Sequence, residues 1–233
     1  MDLAFDPRHG RLYSANYVSG DISVIDPASM SVIRTIDVPG KPTGVAIDPG
    51  NQRVFVSDYA GKVHVVDGKS GEVMASISVG GKPAEVALDS TRHRLFVAST
   101  ANETVEVFDT KTNKRVRTLR LTSEPIAIAV DTDDGSLFVG VSFMTWRYQN
   151  PTSANQESPE YISSNGSDLA VDSGRQRLYA VHNALIVVRN LTTGASTTVD
   201  GVDKAATICL DEASRTAYLA DPDTNRIWSV PLP

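Results

Sequence analysis

The sequence predicts an all-β fold, a β-propeller of six blades of about 41 residues. Three observations carry that prediction: a recurring phrase, four strand-like segments in each period, and a fixed alternation of large and small side chains. The phrase is an apolar run, a polar turn and a second apolar run, as in DLAFDPRHGRLYSAN (2–16), GVAIDPGNQRVFVSD (44–58) and EVALDSTRHRLFVAS (85–99). The aspartates closing its first run stand at Asp6, Asp48, Asp89, Asp131, Asp172 and Asp211, spaced by 42, 41, 42, 41 and 39 residues. Self-similarity at a period of this size marks a repeat architecture. In the second unit the four segments are GVAID, RVFVSD, KVHVVD and EVMASISVG. They are short, rich in β-branched residues and bounded by Gly, Asp, Pro and Ser, so they read as strands. No segment keeps a helical spacing.

Labelled a to d from the axis outward, the strands can be justified in turn. Strand a sets large residues two apart: Leu3 and Phe5, Val45 and Ile47, Val86 and Leu88, Ile128 and Val130, Leu169 and Val171, Ile208 and Leu210. Between them stands a small one: Ala4, Ala46, Ala87, Ala129, Ala170 or Cys209. A blade is buried on both faces, so large side chains of one can fill the space over small ones of the next. Cys209 then serves as a small hydrophobe. The expected blades run 1–42, 43–83, 84–125, 126–166, 167–204 and 205–233, in a single domain. In the fourth, the c and d segments read TWRYQN and NQESPEYI (155–162), and Pro159 suits only a frayed outer edge. The alternative there is a partner surface made of Trp146, Tyr148 and Tyr161, since exposed aromatics favour interfaces. The last unit supplies a, b and c as TICLD, TAYLAD and RIWSV but no d. Six blades with a three-stranded last blade are expected, or a fragment of a larger, seven-bladed propeller.

The stretch GRLYSANYVSGDISVIDPASMSVIRTIDVPGKPTGVAID (10–48) resembles the YVTN-type β-propeller repeat of YncE-like proteins, through YSAN, SVID and VPGKPTGVAID. The resemblance runs over essentially the whole chain and is strongest in the first three units. It implies a scaffold that serves many functions, and a cell-envelope or extracellular setting. No signal-peptide pattern opens the sequence, which meets an acid at once and turns at Pro7.

Composition narrows the function classes. A net charge of −6 opposes a general phosphate-backbone binder. One cysteine permits no intramolecular disulfide. No apolar run approaches the roughly 20 residues that span a bilayer, so membrane insertion is not expected.

Strand direction alternates within a blade, so the a–b and c–d turns share one face and the b–c and d–a loops the other. The first face carries arginines in the a–b turns and aspartates beside them, read as turn caps and local ion pairs, with His9 and His93 as solvated bystanders. The second face is more varied and is the expected ligand face. Its candidates are Lys41, Lys82 and Lys204 at the rim, Glu85 and Asp168 at the channel mouth, and Tyr17, Tyr59 and His182 on the b–c loops. Asn16, Asp58 and Asp221 recur in phase there and read as turn devices, whereas Glu85, Asp168, His182 and Tyr59 break with their equivalents. His64 is expected to be half exposed.

No catalytic set is evident: His182 is the one histidine expected on the ligand face and no Ser stands in a G-x-S-x-G elbow. One Cys and four scattered His give no zinc pattern. DPDTN (221–225) lacks the glycine and glutamate of a calcium loop. No cofactor or metal is therefore expected. The favoured reading is a non-catalytic scaffold for a small polar ligand or a protein partner. The alternative is a hydrolase or lyase of lactonase type at the channel mouth, using Glu85 or Asp168 as acid–base groups or metal ligands, together with His182.

Overall fold

Each repeat folds into its own antiparallel sheet, and the sheets stand around an axis. The structure is a computed structural model and describes residues 2–142, 144–153, 158–164, 166–182, 185–199 and 205–232. The first blade is β1 (Asp2–Asp6), β2 (Arg11–Asn16), β3 (Asp21–Asp26) and β4 (Ser31–Asp37). The second is β5 (Pro42–Asp48), β6 (Arg53–Asp58), β7 (Lys62–Asp67) and β8 (Val73–Ser78). The third is β9 (Pro83–Asp89), β10 (Arg94–Ser99), β11 (Thr104–Asp109) and β12 (Lys114–Arg120). The fourth is β13 (Pro125–Val130), β14 (Leu137–Val141), β15 (Met144–Tyr148) and β16 (Glu160–Ser164). The fifth is β17 (Asp168–Asp172), β18 (Arg177–His182), β19 (Leu185–Asn190) and β20 (Ser196–Val199). The sixth has three strands, β21 (Thr207–Asp211), β22 (Thr216–Asp221) and β23 (Arg226–Pro231). One turn of 3-10 helix, Thr100–Asn102, interrupts a b–c loop.

The innermost strands β1, β5, β9, β13, β17 and β21 lie side by side around the axis, and β21 returns against β1. Among the described residues the ring thus closes at six blades, with three strands in the last.

Six apolar clusters, one at each blade–blade interface, hold it. They follow the alternation of strand a. Ala46 meets Val86, Ala87 meets Ile128, Ala129 meets Leu169, Ala170 meets Ile208 and Cys209 meets Leu3. The small slot has a second cause. Across the a–b ladder, Ala4, Ala46, Ala87, Ala129, Ala170 and Cys209 stand opposite Tyr13, Phe55, Phe96, Phe138, Tyr179 and Tyr218. A larger side chain there would compete with the ring for one space. Phe55, Phe96, Phe138 and Tyr179 are fully buried, each worth about 1.5–3 kcal/mol of transfer from water.

Two expectations are corrected in the outer strands. The fourth blade keeps a complete outer strand, because Pro159 falls just before β16, where no ladder amide is needed. His64 is not half exposed but 2% exposed. It lies within β7, with its Nδ1 2.9 Å from Ser76 Oγ and its Nε2 3.7 Å from Asp58 Oδ2. Among the described residues, no helix is long and apolar enough to cross a membrane.

Candidate functional site

The residue four places before the aspartate that closes strand a lies at the axial mouth, and this slot holds the polar centre of the molecule. Aligned on the aspartates that close strand a, it reads Asp2, Gly44, Glu85, Ala127, Asp168 and Thr207 around the ring. Acids alternate with small residues, and the reason is visible at the inner edge of the sheets. The innermost strand has no neighbour to receive its axis-facing amides, and a buried amide needs an acceptor. Each acid supplies one to the following blade. Val45 N–H donates to Asp2 Oδ2 (2.8 Å), Ile128 N–H to Glu85 Oε2, and Ile208 N–H to Asp168 Oδ2 (2.7 Å). Leu3 and Leu169 N–H donate to Asp2 Oδ1 and Asp168 Oδ1, both at 2.7 Å. Thr207 Oγ1 donates within reach of both Asp168 (2.6 Å) and Asp2 (3.1 Å).

Gly44 is required at its place. A Cβ there would stand 2.7 Å from the Ala84 carbonyl oxygen and 2.8 Å from Ser57 Oγ.

The three acids converge, with one oxygen from each of Asp2, Glu85 and Asp168 within 4.8 Å of the others. Three charges cannot be held that close in a buried site, so protons are retained. Burial, then the Asp168 charge, raises Asp2 to about 7. Burial, then Asp168, holds the Glu85 carboxyl well above the usual carboxylate range. Burial also raises Asp168, against hydrogen bonds from Glu85, Thr207 and two amides. Glu85 is therefore the protonated partner, donating to Asp168 while accepting from Ile128.

Above the acids opens a cavity of about 300 Å³, whose lining includes Thr43, Tyr59, Lys82, Thr100 and Ser167. Its rim is a ladder of two repeats. Lys41 Nζ sits 5.0 Å from the centre of the Tyr17 ring and Lys82 Nζ 5.1 Å from that of Tyr59, and the two rings meet edge to face at 5.9 Å. Each lysine comes from the d–a loop of the following blade, so the stacking ties blades together. Backbone bonds from Tyr59 N–H to the Lys41 carbonyl (3.0 Å) and from Thr100 N–H to the Lys82 carbonyl (3.1 Å) fix the loops. Asp58 accepts Lys41 N–H at 2.8 Å, a turn role.

The other candidates fall elsewhere. His182 is exposed at the end of β18 and is not part of the cavity lining. Lys204 lies outside the described residues. Tyr148 is buried in the cluster between the third and fourth blades and presents no surface. Trp146 and Tyr161 do meet, edge to face at 5.8 Å, with Tyr161 exposed.

Asp2 is the residue that reading the sequence missed. Glu85 and Asp168, expected to break with their equivalents, share one slot with Asp2, at a spacing of 83 residues, two blades. A two-blade period was the available signal. It recurs on the opposite face. Arg8 reaches the carbonyls of Pro49 and Gly50, Arg92 those of Thr132 and Asp133, and Arg175 that of Glu212. His9 is not a bystander there, since its Nδ1 lies 2.8 Å from Asp6 Oδ2.

No family model and no curated protein matches the sequence. Similar solved structures include hydrazine synthase of Kuenenia stuttgartiensis, with a TM-score of 0.75 and 14% identity over 99% of this chain and 94% of that one. A nidogen/laminin complex aligns with a TM-score of 0.82 and 17% identity over 95% and 89% of the two chains. The β-propeller domain of Cps50 (Swd1) from Myceliophteria thermophila aligns with a TM-score of 0.72 and 11% identity over 99% and 96%. At such identities the likeness is one of fold alone, and with the closed ring it makes this chain a six-bladed β-propeller.

Proposed function

We propose that the protein is a binding propeller that takes a small polar ligand into the axial mouth on the b–c and d–a loop face. The observation that carries this reading is the cavity of about 300 Å³, walled by Tyr59 and Lys82 and floored by the carboxyl groups of Asp2, Glu85 and Asp168, whose oxygens lie within 4.8 Å of one another. Its volume lies at the lower end of small-molecule sites. A floor that is proton-bound near neutrality favours a ligand end that is cationic or rich in hydroxyl donors, because either can replace the retained protons. The rim lysines favour a ligand whose outer end is anionic. The resemblance to YVTN-type repeats supports a scaffold role.

The test is a calorimetric and thermal-shift screen of small amines, amino acids, polyols and divalent cations. Hits are repeated in two buffers of different ionisation enthalpy. Proton release on binding is expected, with loss of binding on Lys82→Glu. Unchanged binding in both Lys41→Glu and Lys82→Glu would count against this face.

A hydrolase or lyase is the second reading, favoured by the proton shared between Glu85 and Asp168. No histidine or cysteine lines the cavity among the described residues, so such chemistry would rest on the carboxyl groups. Turnover of lactones or esters abolished by Glu85→Gln would establish it.

A further inference from the structure

The face opposite the axial mouth carries a second pocket, of about 260 Å³, between the first and second blades. Its lining includes Arg11, Tyr13 and Ile33 of the first blade and Ile47, Val54 and Lys69 of the second. The same junction recurs between the second and third blades. Arg11 and Arg53 stand opposite the aspartates that close strand a, and Tyr13 and Phe55 opposite the alanine slot. The c–d turn of the following blade is tied in the same way at both places. Gly68 N–H donates to the Gln52 carbonyl (2.7 Å) and Thr110 N–H to the His93 carbonyl (3.1 Å).

At the later junction Phe55 and Thr110 are both buried, and Arg53 donates to the Thr110 carbonyl at 3.0 Å. The earlier one differs at all three places. Gly68 has no side chain to fill the space, and a Cβ there would lie 3.6 Å from Tyr13 Oη. Among the described residues Arg11 makes no bond to that turn: its Nη1 donates to the Gly10 carbonyl at a long 3.4 Å and lies 3.9 Å from Asp26. A tyrosine stands where the second blade has phenylalanine.

Tyr13 is 6% exposed, and among the described residues its hydroxyl has no hydrogen-bond partner, although buried hydroxyls ordinarily have one. Burial, then the Asp6 carboxylate, raises its pKa, so it is a donor at neutral pH. Lys69 Nζ also has no partner among the described residues. The turn that carries it is held by Arg34, whose guanidinium donates to the Lys69 carbonyl (2.7 Å) and to that of Ser70. The nearby carboxylates are occupied by their own turns. Asp6 takes the amides of Arg8 and His9 and the His9 ring, Asp26 takes the Ala28 amide, and Asp67 takes those of Lys69 and Ser70. Three donors, two of them cationic, thus border one pocket whose remaining wall is largely aliphatic.

We propose that this pocket binds a small monocarboxylate with an apolar body, the carboxylate taken by the Tyr13 hydroxyl, Arg11 and Lys69 and the body covering Ile33 and Ile47. It is a site separate from the axial mouth and does not depend on what binds there. Charge-assisted bonds supply the recognition of the anion, and the small volume limits the length of the body.

The probes are benzoate and isovalerate, titrated into isotopically labelled protein up to roughly millimolar concentration with the backbone amides followed. Saturable shifts are expected at Arg11–Tyr13 and Gly68–Ser70. Benzyl alcohol, which lacks the charge, and inorganic phosphate, which lacks the apolar body, should each bind at least about tenfold more weakly. Tyr13→Phe should weaken benzoate binding at least about tenfold. Its fold is safe, because Phe55, Phe96 and Phe138 occupy this position in three other blades. Lys69→Glu, on an exposed turn, should weaken binding to a similar degree. Absence of saturable shifts at these amides, equal binding of benzyl alcohol or phosphate, or wild-type affinity in Tyr13→Phe would overturn the proposal.

Discussion

Replacing Glu85 in two ways isolates the proton held at the centre of the ring. Glu85→Gln is nearly isosteric with the protonated acid: its Nε2 can donate to Asp168 while its Oε1 accepts from Ile128 N–H. Glu85→Ala removes both bonds. The orphaned, channel-side amide of Ile128 then costs about 1–3 kcal/mol, and the lost bond to Asp168 about 1 kcal/mol more. Urea unfolding at pH 7 should therefore place Glu85→Ala about 2–4 kcal/mol below wild type and Glu85→Gln within about 1 kcal/mol of it. The pH dependence adds a second check. A carboxyl raised in the folded state binds a proton that the unfolded chain releases near pH 4.3, so its stabilisation is complete below that pH and is lost as pH rises through the folded pKa. Glutamine does not titrate, so Glu85→Gln should gain stability relative to wild type as pH rises. If glutamine proves as costly as alanine at pH 7, Glu85 is ionised in the native ring, and the proton has been assigned to the wrong carboxyl.

Other consequences can be measured on the same chain. Asp2, at about 7 in the fold and near 3.9 unfolded, should make wild type lose about 2–3 kcal/mol between pH 5 and pH 8 relative to Asp2→Asn; parallel stability curves would refute this. Cys209→Ala should change stability by less than about 1.5 kcal/mol in thermal or chemical unfolding, because alanine fills that slot in the other five blades. Phe96→Ala, opposite Ala87, should cost about 3–5 kcal/mol by the same measurement. Gly44→Ala should cost about 1–3 kcal/mol, since the added methyl meets backbone of the neighbouring blade; a neutral result would show that the inner strands can shift apart.

Sheet formation depends on local pattern, which is why the period, the strand order within blades and the short sixth blade could be read directly from the chain. The Ala4-to-Cys209 series and its large neighbours report a slot that is buried in every blade, and such slots survive any rearrangement that keeps the sheets stacked. That Lys82 and Tyr59 share one face follows likewise from loop position, because strand alternation assigns each loop to a face; that they stack is seen only in the structure.

Burial of individual polar groups could not be read in this way. His64 and Tyr148 stand at positions whose exposure depends on how closely the next blade approaches. The meeting of Asp2, Glu85 and Asp168 depends on closure itself. They are 83 residues apart in sequence, and their oxygens come within 4.8 Å only because six inner strands share one axis. Repetition along a chain specifies what each sheet is made of; the distance between equivalent residues across a ring, and hence which of them must share a proton, is a property of the number of blades that close it.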